Sequence, residues 1–124
     1  MTKFFVNISN HPSDKWDEKQ RIAALEYGSI VDIPFPAIDA TCDINVITAL
    51  ADEYLFKVKQ LSPPSNVTIH IMGEQTFCYS LLRRLQNAGY KCVASTTKRS
   101  VVANGNNERL VSFCFDRFRE YENL

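Results

Sequence analysis

The stretch Asn66-Val67-Thr68-Ile69-His70-Ile71-Met72-Gly73 decides the fold. Its β-branched and long apolar side chains, closed by a glycine, read as a buried strand. A helical stripe of Phe77, Leu81, Leu85 and Ala88 follows, and Gly89 ends it. Upstream, Ser62-Pro63-Pro64-Ser65 breaks the longest helix, whose stripe is Ile44, Ile47, Ala51, Tyr54, Val58 and Leu61. Before that helix, Ser29-Ile30-Val31-Asp32-Ile33 reads as a strand that stops at Pro34-Phe35-Pro36. The chain opens with a further strand, Phe4-Phe5-Val6-Asn7-Ile8, and Ser13 is placed to cap a helix striped by Trp16, Gln20, Ala23, Ala24 and Tyr27, with Gly28 as its stop.

Downstream the pattern changes. Lys91 to Ala94 reads as a fourth strand, and β-favouring residues continue to Ala103. Asn104-Gly105-Asn106-Asn107 is a hairpin turn signal, after which Arg109 to Phe118 sets Val111, Phe113 and Phe115 against Ser112, Cys114 and Asp116. The expected fold is one Rossmann-like α/β domain over residues 1–124, in three layers. Its sheet is mostly parallel, in the order 2-1-3-4-5, with a C-terminal antiparallel hairpin.

A 124-residue chain with 45% hydrophobic residues has enough apolar material for one core, which excludes a disordered chain. Fourteen basic residues balance fourteen acidic ones, which argues against a duplex-DNA binder. No apolar run reaches the ~20 residues that span a bilayer, and the apolar part of Met1 to Asn7 is too short for a signal peptide. The expected location is cytoplasmic, off the membrane. Cys42, Cys78, Cys92 and Cys114 lie at wide spacings without a close ligand pair, so reduced, mostly buried thiols are expected rather than a metal site. The glycine-rich dinucleotide and phosphate-loop fingerprints are missing, and no cofactor is expected.

In such a sheet ligands bind beyond the carboxyl ends of the strands, near the point where strand order reverses. Four stretches qualify: Ser9 to Ser13, Pro34 to Asp39, Gly73 to Thr76, and Ser95-Thr96-Thr97-Lys98-Arg99. Their hydroxyls, amides and cations suit a phosphate or nucleotide better than an apolar ligand. Residues 1–74 hold six basic and ten acidic residues, whereas Gln75 to Asn107 hold Arg83, Arg84, Lys91, Lys98 and Arg99 with no acid at all. That asymmetry predicts a local positive edge fitting a small anion, seated on the third helix and the hairpin because Asp14, Asp17 and Glu18 repel it from the first helix.

Individual residues carry two readings each. His11, beside Ser9 and Asn10, is either a solvated residue before a proline or a functional group at a strand end. Trp16 and Gln20, one helical turn apart, give a core anchor or a base-stacking face. His70, between Ile69 and Ile71, is expected in the core or an interface. Asp32 and Asp39 are too isolated to form a carboxylate pair. Arg117, Arg119 and Tyr121 form a solvated edge with paired charges, or else a guanidinium clamp or dimer contact.

Several strings carry a family resemblance: Asn7-Ile8-Ser9-Asn10-His11-Pro12-Ser13 with Trp16 and Gln20, Val31 to Pro36 with Asp39, Met72-Gly73-Glu74 with Thr76-Phe77, Ala94 to Arg99, and Phe115 to Tyr121. Nearly the whole chain resembles the small Rossmann-like CRISPR-associated proteins encoded near type III systems, related to CARF sensor domains. Some of these are ring nucleases, which degrade cyclic oligoadenylate, usually as homodimers without a metal. The resemblance implies attack of a ribose 2′-hydroxyl on the adjacent phosphate. Ser9, Asn10 and His11 would orient or deprotonate that hydroxyl. Lys98, with Thr96, Thr97 and Arg99, would hold and neutralise the phosphate, and Ser95, Thr76, Trp16 and Gln20 complete the expected ligand-binding set. The alternatives are a sensor that binds the messenger without cleaving it and a nucleotide-processing enzyme outside CRISPR defence.

Overall fold

The computed structural model describes residues 2–103, 105 and 109–124. Among them strands and helices follow as β1 (Phe4–Ser9), α1 (Glu18–Leu25), β2 (Ser29–Asp32), α2 (Ile44–Leu61), β3 (Val67–Met72), α3 (Gln75–Asn87), β4 (Lys91–Ala103) and β5 (Arg109–Glu120). The sheet order is β2-β1-β3-β4-β5. All neighbours pair in parallel except β4 and β5, which are antiparallel, so the expected architecture is the observed one. The turn expected at Asn104-Gly105-Asn106-Asn107 lies, Gly105 apart, outside the described residues.

β1 and β3 run in register from Phe4 opposite Val67 to Ser9 opposite Met72. Side chains of a strand alternate between faces, so the two strands present matched sets. Val6, Ile8, Ile69 and Ile71 are buried in one cluster with Ile47, Ala51 and Val58 of α2 and Phe77, Leu81 and Leu85 of α3. Apart from Ala51, each such side chain contributes about 1.5–3 kcal/mol by leaving water. Phe5, Trp16, Ala24 and Val93 form a smaller second cluster, joined by Tyr27 and Phe118. Gly73 is required where β3 ends, because a Cβ there would lie 2.4 Å from the Phe35 ring.

Three expectations are corrected. Ser13 does not cap α1: Ser13–Lys15 is a short 3-10 turn, α1 starts at Glu18, and the Asp17 side chain accepts from the Gln20 N–H instead. The Ser13 hydroxyl is taken by Asp32 at 2.6 Å, which leaves Trp16 outside the helix and off any shared helical face with Gln20. The alternation in β5 also breaks. Thr96 pairs with Arg117 and Thr97 with Phe115, so Asp116 is the extra residue of a bulge. Phe115 and Phe118 thereby meet at 4.9 Å, while Phe113 is exposed. Of the cysteines only Cys92 is fully buried, and Cys114 is exposed. Burial pushes the Cys78 and Cys92 thiols up to about 12.

Candidate functional site

At the carboxyl end of β1, where strand order reverses, the α1 side of the sheet is polar. Asn7 and Ser9 of β1 and His70 of β3 are all buried there. The Asn7 amide donates to the Asp32 carboxylate and to the His11 carbonyl, both at 2.9 Å. Its oxygen lies 2.8 Å from the Ser9 hydroxyl and 2.8 Å from Nδ1 of His70. The Trp16 indole N–H donates to the same His11 carbonyl at 3.0 Å, and Arg21 donates to the Ser13 carbonyl at 2.8 Å. These bonds join β1, β2, β3 and the loop to α1 and fix the loop backbone. The His11 side chain is left exposed at the rim.

A cleft of about 290 Å³ opens over this network. Six of the expected residues line it: Ser9, His11, Trp16, Gln20, Ser95 and Thr97. Lys15, Asp17, His70, Met72, Phe113 and Phe115 complete the wall. Larger clefts of about 350 and 490 Å³ lie nearby, one holding Asn10 with Asp32 and the other Thr76 with Asp39, Asp43 and Glu74. Chemistry rather than volume favours the cleft of about 290 Å³, because, of these three, it joins the ends of β1, β3 and β4.

The remaining expected residues are placed differently. Thr76 donates to Glu74, whose carboxylate also accepts from the backbone N–H groups of Thr76 and Phe77. Those bonds, the Phe77 N–H first, hold the Glu74 carboxyl below its usual range. The N-terminus of α3 thus carries its own anion, against the expectation of a bound one. Lys98 reaches Asp116 at 3.2 Å, beside Arg117 at 2.7 Å and Lys19 at 3.8 Å. The hydrogen bonds from Arg117 and Lys98 lower the Asp116 carboxyl. Chain pairing therefore supplies the acid that the stretch Gln75 to Asn107 lacks. Thr96 exchanges bonds with the Arg117 backbone, and Arg99 stands exposed opposite Phe113 in the ladder. Arg119 is exposed, whereas the Tyr121 hydroxyl donates to the Ile71 carbonyl at 2.9 Å, so the three do not form one edge.

A family model, that of the Uncharacterized protein MJ1673 family, matches residues 3–119. The chain belongs to this family. No curated protein and no solved structure matches it. The matched span takes in the whole cleft of this MJ1673-family chain, from Ser9 to Phe115.

Sequence reading missed His70 as a site residue in this MJ1673-family chain. Burial, with a smaller push from His11, takes its imidazole down to about 4. A signal for it existed, since polar Asn7 and Ser9 interrupt an apolar strand at alternate positions and therefore share one face. Among the described residues no three His, Cys, Asp or Glu side chains converge as a metal centre requires. No helix among them is long and apolar enough to cross a membrane.

Proposed function

We propose that this chain binds cyclic oligoadenylate in the cleft and opens the ring without a metal, as a cytoplasmic homodimer of CRISPR defence related to CARF proteins. The observation that carries the reading is the convergence of Ser9, His11, Trp16, Gln20, Ser95 and Thr97, drawn from three separate segments, on one cleft at the switch point. A homodimer suits a ligand with rotational symmetry, because its two-fold axis presents matching surfaces.

In the proposed reaction the ribose 2′-oxygen bonds to phosphorus as the bond from phosphorus to the 5′-oxygen breaks. His11 takes the 2′-proton, and the departing 5′-oxygen takes a proton from water. The products end in a 2′,3′-cyclic phosphate and a 5′-hydroxyl. Ser9 is a positioning residue here, since its hydroxyl bonds inside the network and accepts from the His11 backbone N–H. Thr97 and Arg99 are left to meet the phosphate, with Lys98 shared with Asp116.

Incubation with cyclic tetra- and hexa-adenylate in EDTA, followed by separation of products, tests the reading. Linear fragments with cyclic phosphate ends are expected, and His11→Ala should keep binding while losing roughly 10²–10⁴ in turnover. Intact ligand at stoichiometric enzyme would sink the catalytic claim. The ion pair between Lys98 and Asp116 favours a second reading, sequestration without cleavage, in which ligand binds and is recovered whole.

A further inference from the structure

His70 holds a buried polar atom that the proposed chemistry does not use. The residue is 2% exposed and lines the cleft, yet among the described residues Nε2 has no hydrogen-bond partner. The tautomer follows from the neighbours. The Asn7 NH₂ group must face its two acceptors, Asp32 and the His11 carbonyl, so the Asn7 oxygen faces His70. Nδ1 of His70, 2.8 Å from that oxygen, therefore carries the proton. Burial keeps the ring neutral. Nε2 is then a bare acceptor lone pair.

The ring cannot easily turn away. Phe5 stacks on it at 6.1 Å, and Trp16 and Phe118 meet it edge-on at 5.7 and 5.3 Å. A buried acceptor without a donor is costly, and its persistence beside a cleft marks a place for a ligand's donor.

We infer that the cleft recognises its ligand through one N–H donor on a flat ring, delivered to His70 Nε2. This rests on the cyclic oligoadenylate reading, in which the donor is the 6-amino group of an adenine. A purine without the 6-amino group has no N–H donor on that edge and leaves Nε2 bare.

The test compares cyclic tetra-adenylate with the same ring built on unsubstituted purine, which lacks the 6-amino groups, both carrying 2′-fluoro in place of the attacking hydroxyl, titrated calorimetrically against the full chain. Wild type should prefer the adenylate by about tenfold or more. His70→Phe, which keeps a planar ring but has no acceptor, should bind both alike, with a thermal melt to show that it folds. If that variant does not fold, the wild-type comparison and the imidazole nitrogen resonances of wild type decide. The Nε2 resonance should move when the adenylate binds. Equal wild-type affinity for the two rings, or an Nε2 resonance unmoved by bound adenylate, overturns this inference and leaves the binding site standing. Failure to bind either ring overturns the underlying reading, and this one with it.

Discussion

The two faces of β1 and β3 differ although the same two strands build them. Toward α2 and α3 the strands offer Val6, Ile8, Ile69 and Ile71, all fully buried. Toward α1 they offer Phe5, then Asn7, Ser9 and His70, buried as well but joined by hydrogen bonds. The difference follows from cover. α2 is 18 residues long and α3 is 13, whereas α1 has eight and starts late. A short helix leaves the strand ends beneath a loop, where polar side chains must satisfy backbone groups that no helix serves.

Four experiments break or sharpen this contrast. The largest effect belongs to the apolar face: Phe77→Ala should cost about 3–5 kcal/mol in urea unfolding while leaving ligand preference unchanged. A loss under ~1 kcal/mol would mean that this face is not the main core. Next is acid. His70 titrates near 4 in the folded chain against 6.5 unfolded, so the unfolded state binds the extra proton between those values. Stability is fully present above pH 6.5 and declines as pH falls toward 4, by up to about 3 kcal/mol. Urea midpoints at several pH values should show this slope in wild type and not in His70→Phe; equal slopes would remove the burial argument.

Smaller effects follow on the polar face. Asn7→Leu strands the His70 Nδ1–H and removes one of several donors from the Asp32 carboxylate and from the His11 carbonyl, and should cost about 2 kcal/mol by chemical denaturation. A neutral result would show that the network orders nothing. Smallest of all, Lys98→Ala should weaken cyclic oligoadenylate binding only about threefold or less, because Asp116 already holds that ammonium in an exposed pair. A tenfold loss would return the phosphate to Lys98.

Strand order and layer assignment were legible because periodicity and glycine or proline punctuation act locally. The run Val67 to Met72, bounded by Pro63-Pro64 and Gly73, could only be a central strand once helical stripes flanked it. Six of the expected site residues also meet in one cleft, since the ends of parallel strands converge by topology alone. The start of α1 was not legible. Ser13 and Asp17 are both competent caps, and the choice depends on Asp32, nineteen residues away in sequence from Ser13 but on the adjacent strand.

What the sequence by itself determined is the alternation of elements and the polarity of the strand ends, properties set by neighbours within a few residues. Tertiary structure alone decided which charges are available and which histidine matters. Lys98 looks unopposed along the chain, but the bulge in β5 presents Asp116 to it. His70 looks like core filler between Ile69 and Ile71, but register with Asn7 fixes its proton on one nitrogen and leaves the other bare. Both outcomes depend on cross-strand distances of about 3 Å, which only register fixes.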